Sequence, residues 1–212
     1  MNRSSSFRTR AWLTAATVFW LAGVVYGIER MSRYALTPAV QQPLVPTWPA
    51  ISSLARAPGR TTLVMFVHPQ CPCTRASLAE LEQIIRENSG TPTPALDAFV
   101  VFLAPSSMPQ GWAASTLLDR VGHLRGVSVV SDTNGREARL FHADVSGVLV
   151  LYDGRGDLMF SGGITGSRGE VGENDGLRRV RALLTASPTS PQRAPVFGCP
   201  LSDPAARTDG AL

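Results

Sequence analysis

From residue 60 onward, short apolar runs alternate with segments typical of helices, and this alternation constrains the fold more than any other feature. Five apolar runs predict strands, the last two forming a hairpin around the turn GRGD: 61–67, 98–104, 127–132, 147–153 and 158–162. Four segments between and after them predict helices: 74–88, 111–124, 134–141 and 174–186. This order is typical of an α/β sandwich with a partly parallel central sheet.

The charges separate the N-terminal segment from the rest of the chain. The net charge is +4, and there is no lysine. Residues 1–58 contain six Arg and one Glu, whereas residues 59–212 contain fourteen Arg and fifteen acidic residues. The predicted sandwich therefore offers no positive field to a phosphate backbone, and we expect no nucleic-acid partner.

Residues 11–28, AWLTAATVFWLAGVVYGI, carry no charge, and arginines lie on both sides of them. Their length is close to the ~20 residues that a membrane-spanning helix needs. We interpret them as a single-pass anchor in the cytoplasmic membrane, with residues 1–10 in the cytoplasm and the main domain on the extracytoplasmic (periplasmic) side. A cleaved signal peptide is the alternative, although no small-x-small cleavage site follows Gly27. Both interpretations place residues 29–212 where disulfides form.

Prolines mark the segments on either side of the predicted domain. Residues 29–59 are rich in proline and predict a semi-rigid linker between the anchor and a domain at 60–186. Residues 187–212 predict a second proline-rich segment, a tail that contains the third cysteine, Cys199.

The segment HPQCPC lies between the first predicted strand and the first helix of the sandwich, and it holds Cys71 and Cys73. Functional loops in such sheets follow the carboxyl ends of strands. Pro72 suits the first helical position, which predicts Cys71 as the N-cap and Cys73 in the first turn. Unpaired N–H groups and the helix dipole stabilise a thiolate there. Cys71 is the better-placed nucleophile, and His68 could lower its pKa or bind a metal.

Three features within residues 60–186 carry a resemblance to a known family. They are the strand–Cys-x-x–helix arrangement, the stretch SDTNGREARLF, and the closing hairpin and helix. Together they resemble the thioredoxin superfamily, especially membrane-tethered TlpA-like thiol–disulfide oxidoreductases. The stretch FSGGITGSRGEVGENDG with FGCP further resembles the bacterial RedB-like proteins. The resemblance implies a thioredoxin-like three-layer sandwich with a central mixed sheet, and exchange with protein thiols or disulfides without a cofactor.

The sequence departs from the family at two places. The family's motif is Cys-x-x-Cys; aligned on the helix, Cys71 matches its first cysteine, Thr74 matches the second, and Cys73 is extra. Thr74 could then hydrogen-bond the Cys71 sulfur. The family also has a cis-proline before the hairpin, where this chain has Ser146 and Gly147. The resemblance implies that the backbone there docks the partner, and the missing proline leaves metal binding more plausible.

Several alternatives remain open for the cysteines. Either Cys73 or Cys199 could resolve a mixed disulfide formed at Cys71. Alternatively His68, Cys71, Cys73 and Cys199 could hold copper or zinc, and the protein would then be a copper-binding metallochaperone or assembly factor, such as a copper carrier for a membrane oxidase. An inert assembly factor and a thiol peroxidase are weaker hypotheses, and no peroxide-activating Arg can be placed. Arg168 and Asn174, in the glycine-rich stretch, could line the site, but no sequence pattern supports this.

Overall fold

The computed structural model describes residues 3–88, 96–107, 119, 121–186 and 190–201. The chain divides into two compact units, Met1–Thr37 and Pro38–Leu212.

The first unit contains helix α1, Arg3–Leu36. Its section Arg10–Leu36 is, among the described residues, the one helix long and apolar enough to cross a membrane, and its side chains are exposed. The helix extends beyond the predicted anchor at 11–28. The helix ends at Leu36, two residues before Pro38. Proline disfavours helical backbone at the preceding residue, Thr37, and has no N–H to donate to a helical carbonyl. The predicted N-terminal apolar helix is therefore present, as a candidate membrane span.

The second unit is a mixed sheet with helices on its faces. Its elements are β1 (Thr62–Val67), α2 (Thr74–Asn88), β2 (Asp97–Ala104), β3 (Val127–Thr133), α3 (Arg136–Leu140), β4 (Val148–Tyr152), β5 (Leu158–Gly162), α4 (Asp175–Thr185) and β6 (Gln192–Arg193). The strand order is β3-β2-β1-β4-β5-β6. Strands β1, β2 and β3 are parallel, β4 is antiparallel to β1 and β5, and β6 is parallel to β5. The predicted thioredoxin-like sandwich is confirmed.

Strand β1 is central, and both of its faces are buried. Leu63 and Met65 face a core that includes apolar residues of α2 and α4. Val64 and Phe66 face a second core on the other side of the sheet. A strand that is covered on both faces has apolar residues at consecutive positions. TLVMFV therefore predicts a buried strand although apolar and polar residues do not alternate in it. The other predicted elements agree with the structure to within two residues, except the helix at 111–124, most of which lies outside the described residues.

The segment 38–59 differs from the predicted linker, because it packs against the second core. Trp48 contacts Phe141 and Tyr152 edge-on, with ring centroids 5.1 and 5.3 Å away. Proline carbonyls still accept hydrogen bonds, and the N–H of Leu158 donates to the carbonyl of Pro46 at 2.8 Å. The prolines prevent a helix but leave an extended backbone that pairs with the domain.

A buried carboxylate holds the same segment in place. Glu137 accepts hydrogen bonds from the hydroxyl groups of Ser52 and Ser53 at 2.6 and 2.8 Å, and from the N–H of Ser53 at 2.9 Å. Burial alone raises the pKa of Glu137, but these hydrogen bonds and the charge of Arg136 outweigh burial and lower it. The segment is therefore fixed by charge-assisted hydrogen bonds as well as by apolar contacts.

The described part of the predicted tail, residues 190–201, also packs on the domain. Strand β6 pairs with β5, and the apolar side chains that follow it are buried: Ala194, Val196, Phe197 and Leu201. Burial of Ala194 in the first core, and of Val196 and Leu201 in the second, brings the third cysteine back to the sheet.

Candidate functional site

Cys71 and Cys73 lie in a tight turn between β1 and α2. The N–H of Cys71 donates to the carbonyl of His68 at 3.1 Å, and the N–H of Thr74 donates to that of Cys71 at 3.0 Å. Helix α2 begins at Thr74, and its first i to i+4 hydrogen bond runs from Ser77 to the carbonyl of Cys73 at 3.2 Å. Cys71 therefore lies one tight turn before the helix, whereas the sequence predicted it as the N-cap.

Cys199 reaches this turn through backbone pairing. The N–H of Ser146 donates to the carbonyl of Cys199, and the N–H of Leu201 donates to that of Asp144, both at 2.8 Å. Between them, Val145 and Pro200 form an antiparallel bridge. A short two-stranded contact thus fixes the backbone of Cys199 beside the loop that precedes β4.

The three sulfur atoms form a cluster. The Sγ of Cys71 lies 3.0 Å from the Sγ of Cys199, and the Sγ atoms of Cys71, Cys73 and Cys199 all lie within 4.8 Å of one another. All three thiols are free; Cys71 and Cys73 are 6% and 8% exposed. The turn and the tail therefore join two neighbouring cysteines to one that is distant in sequence.

Hydrogen bonds make Cys71 the most acidic thiol of the cluster. Burial by itself raises the pKa of Cys71. It is outweighed by the thiol of Cys199 and by the backbone N–H groups of Cys199, Cys73 and Thr74, so that the pKa of Cys71 is lowered. Donors aimed at the sulfur stabilise the thiolate, which is the nucleophilic form.

The other two thiols have raised pKa values. Burial, the charge of Cys71 and its hydrogen bond raise the pKa of Cys73. Burial together with the hydrogen bond and the charge of Cys71 raises the pKa of Cys199 to about 12. The shifts run in opposite directions, so Cys71 is the thiol of the cluster that loses its proton most readily, with the other two as donors to its sulfur.

Arg168 is the cation of this site. Its guanidinium hydrogen-bonds Cys73 and opposes the rise in the pKa of both Cys73 and Cys199. It also donates to the carbonyl of Gly198, the residue before Cys199. No sequence pattern supports a role for Arg168, because it lies in a glycine-rich stretch more than 90 positions after Cys73. Only the fold places it here.

Thr74 and Ser146 join the cysteine turn to the loop before β4. The hydroxyl of Thr74 donates to the carbonyl of His68 at 2.9 Å and lies 3.0 Å from the hydroxyl of Ser146. The Ser146 hydroxyl accepts from the N–H of His68 at 2.9 Å. The Thr74 hydroxyl thus hydrogen-bonds oxygens, whereas its backbone N–H is the group that lowers the pKa of the Cys71 thiol.

His68 is close to the cysteines in the chain but lies outside the sulfur cluster. Its Nδ1 accepts a hydrogen bond from the N–H of Gln70 at 3.2 Å, and burial lowers its pKa. A neutral imidazole carries no charge that would favour a thiolate. The predicted metal set therefore reduces to the three cysteines, which are the described residues brought within ligand distance of one another.

The backbone predicted to dock a partner is already engaged within the chain. Gly147 donates its N–H to the carbonyl of Phe66 at 2.7 Å, and its φ of 93° is one that side chains other than glycine rarely adopt. The N–H of Ser146 is bound to the carbonyl of Cys199. The structure thus places Ser146 and Gly147 beside the cysteines. The chain's own tail is bound to the backbone of Ser146, where the sequence predicted that a partner protein would dock.

Comparison with known proteins identifies the fold. No protein-family model matches the chain, and no curated protein matches its sequence. An uncharacterized conserved protein from Geobacillus kaustophilus is similar in structure, with a TM-score of 0.56, 16% identity and coverage of 80% of this chain and 94% of that one. A hypothetical protein from Sinorhizobium meliloti has a TM-score of 0.52, 19% identity and coverage of 68% and 79%.

A secreted Mycobacterium tuberculosis disulfide oxidoreductase is more distant, with a TM-score of 0.42, 13% identity and coverage of 60% and 82%. The sheet order, together with the cysteine turn that leads from β1 into α2, is that of a thioredoxin-like fold. The resemblance seen in the sequence is confirmed at the level of the fold.

Proposed function

We propose that the protein is a membrane-anchored thiol–disulfide oxidoreductase that acts on protein cysteines outside the cytoplasm. Cys71 is the nucleophile, and Cys199 is the resolving cysteine. The observation that carries the proposal is the 3.0 Å distance between the Sγ atoms of these two residues. Disulfide formation closes this gap to about 2 Å, a small movement for a tail segment.

The first step uses the lowered pKa of Cys71. Its thiolate attacks one sulfur of a partner's disulfide, a mixed disulfide forms, and the partner's other sulfur leaves as a thiolate that takes up a proton. The reverse reaction passes a disulfide to a partner dithiol. Both directions use the same atoms.

The second step uses Cys199. When Cys71 is held in a mixed disulfide it loses its charge, which removes two of the causes that raise the pKa of Cys199. Arg168 remains and favours the Cys199 thiolate. This thiolate attacks the Sγ of Cys71, and the partner's sulfur leaves and takes up a proton. The partner is thereby reduced to a dithiol, and Cys71 and Cys199 are oxidised to a disulfide.

Cys73 is the weaker candidate for the resolving residue. It is separated from Cys71 by one proline, and a Cys-x-Cys disulfide closes a small, strained ring. Its side chain instead lies beside Arg168. We propose that it donates to the Cys71 sulfur and keeps the thiolate ready.

Helix α1 supports the proposed location. Its apolar stretch suits a single membrane crossing, and the arginines at residues 3, 8 and 10 favour a cytoplasmic N-terminus. The domain would then lie in a compartment where protein disulfides form.

A soft-metal site is the second candidate function, and the sulfur cluster is the observation that favours it. Three thiolates suit copper(I) or zinc. Metal–sulfur bonds of about 2.3 Å place bound sulfurs roughly 4 Å apart, so that Cys71 and Cys199 would separate slightly on binding.

One preparation tests both functions. The full chain is purified anaerobically in detergent without chelators, its thiols are mapped by alkylation and mass spectrometry before and after reduction, and bound copper and zinc are measured. A metal-free protein with a reducible Cys71–Cys199 disulfide after one turnover with a disulfide substrate supports exchange. Stoichiometric metal, with thiols that react only after chelation, supports the carrier function instead.

A further inference from the structure

The loop before β4 carries an unusual contact for a site that must admit another protein. The backbone of Asp144, Val145 and Ser146 pairs with the chain's own Cys199, Pro200 and Leu201 through two hydrogen bonds of 2.8 Å and one antiparallel bridge. This pairing presents the Cys199 sulfur to Cys71. The tail thus occupies the site as an extended peptide with a cysteine would.

The position before that cysteine accepts only glycine. A Cβ built on Gly198 would overlap the carbonyl oxygen of Ser146. It would also lie 2.9 Å from the carbonyl carbon of Ser146 and 3.1 Å from a methyl group of Val145. Two of these three atoms are backbone and cannot move without breaking the pairing. The edge therefore selects for a glycine immediately before the cysteine that approaches Cys71.

A third contact recognises the backbone of the bound segment. Arg168 donates to the carbonyl of Gly198. Any peptide that lies on the edge in the same register presents a carbonyl at this place. Two backbone hydrogen bonds, the guanidinium and the glycine position together make a recognition site for an extended segment.

We propose that the edge Asp144–Ser146, with Arg168, binds an extended Gly-Cys segment of the partner protein, and that the tail at Gly198–Leu201 is its internal competitor. The proposal rests on the function proposed above and specifies its substrate class. The partner segment displaces the tail, and the Cys71 thiolate attacks its cysteine sulfur, which is one half of a disulfide; the other sulfur of that disulfide leaves as a thiolate and takes up a proton. The returning tail then places Cys199 on the Cys71 sulfur and displaces the partner, so that resolution and release use the same edge.

The test uses the full chain in detergent with the substitution Cys199→Ser, which stops resolution and lets a mixed disulfide accumulate on Cys71. The probes are two peptides, Val-Phe-Gly-Cys-Pro-Leu and Val-Phe-Ala-Cys-Pro-Leu, each as a disulfide with 2-thiopyridine. Attack of Cys71 on the peptide sulfur releases pyridine-2-thione, which is followed by absorbance, and peptide mapping verifies that Cys71 is the residue modified. The rate of Cys71 with each peptide is divided by the rate of free glutathione with the same peptide, which corrects for the intrinsic reactivity of the two peptide disulfides.

We expect the Ala peptide to react about tenfold more slowly than the Gly peptide, as an overpacking cost of this kind implies. Adding Gly198→Ala should displace the tail and speed the reaction of the Gly peptide several-fold. The matched control is Gly166→Ala, where a new Cβ meets nothing closer than 3.4 Å; its rates should equal those of the parent.

Equal normalised rates for the two peptides would overturn the proposal, and this comparison needs no substitution other than Cys199→Ser. Rates that Gly198→Ala leaves unchanged would overturn the competition by the tail. A failure of the proposed function gives a different result. In that case the unsubstituted chain forms no Cys71–Cys199 disulfide with any disulfide substrate, whichever peptide reacts faster.

Discussion

The Sγ atoms of Cys71 and Cys199 lie 3.0 Å apart, although the two residues are 128 positions apart in the sequence. One sulfur is fixed by the turn between β1 and α2, and the other by backbone pairing with Ser146. The distance is therefore set by two separate parts of the fold. This arrangement brings the proposed nucleophile and the proposed resolving thiol into one cluster.

Single cysteine substitutions should have distinct effects. We expect Cys71→Ser to abolish exchange, Cys199→Ser to trap mixed disulfides with the partner, and Cys73→Ser to leave resolution intact. The measurement is a single turnover of the reduced chain with a disulfide substrate, followed by non-reducing mass spectrometry. Accumulation of mixed disulfide in Cys73→Ser rather than in Cys199→Ser would assign resolution to Cys73.

The reactivity of Cys71 should depend on pH in the order set by the pKa shifts. Because the pKa of Cys71 is lowered, its alkylation rate should rise with pH around a midpoint below the ordinary 9.0. Cys199, with its pKa raised to about 12, should stay unreactive over the same range. Removing the donor thiol in Cys199→Ala should move the Cys71 midpoint upward. Iodoacetamide alkylation at a series of pH values, with mass mapping, measures the reactivity of each cysteine in both proteins. A Cys71 midpoint that is the same in Cys199→Ala would contradict the role of Cys199 as donor.

Arg168→Gln should raise the pKa of Cys73 further, because the guanidinium is the group that opposes its rise. We expect slower resolution by Cys199 for the same reason, with the first attack by Cys71 less affected. The rates of the two steps are separated by stopped-flow measurement with a chromogenic disulfide. The control is Arg178→Gln, an exposed residue of α4 whose partner is Asp175. Equal losses in both variants would argue against an electrostatic role.

Glu137→Gln should destabilise the domain by about 1–3 kcal/mol at neutral pH, because a buried carboxylate with three donors becomes a neutral amide. The folded-state pKa of Glu137 is lowered, so its contribution is present above the unfolded pKa and is lost as pH falls through the folded pKa. Urea unfolding should therefore show a difference between the two proteins that shrinks under acid conditions. The exposed Glu87→Gln should change the free energy of unfolding by ~0–1 kcal/mol.

The segment 38–59 should be needed for a stable domain. A chain from Pro38 to Leu212 should unfold cooperatively, whereas a chain that begins at residue 60 loses Trp48 and Leu54 from the second core. Loss of the buried Leu54 side chain alone typically costs about 2–5 kcal/mol. Thermal unfolding by circular dichroism compares the two, and equal midpoints would mean that the segment is a linker after all.

The sequence predicted much of the fold because the relevant signals are local. The apolar run TLVMFV predicts a strand buried on both faces, and Leu78, Leu81, Ile84 and Ile85 predict the buried face of α2. Proline was the misleading signal. It excludes a helix from residues 38–59, but it does not tell whether an extended backbone is free or paired.

The candidate site divides in the same way. Cys71 and Cys73 could be identified from the sequence because they lie together between a strand and a helix. The choice of Cys199 as their partner could not, since it depends on the pairing of residues 144–146 with the tail. Arg168 could be named only as a residue of the glycine-rich stretch, with no pattern that tied it to the cysteines. Its position follows from the glycine-rich loop, where Asn174 holds the carbonyl of Ile164 at 2.9 Å.

The sequence by itself determined the order of strands and helices, the apolar N-terminal helix and the two cysteines at the end of β1. These follow from periodicity, helix geometry and backbone chemistry, which act over a few residues. Only the tertiary structure decided which thiol meets Cys71, which cation faces the cluster and which segment covers the edge at Ser146. Those contacts depend on burial of distant apolar groups, such as Val196 and Leu201, and no local pattern records where such groups pack.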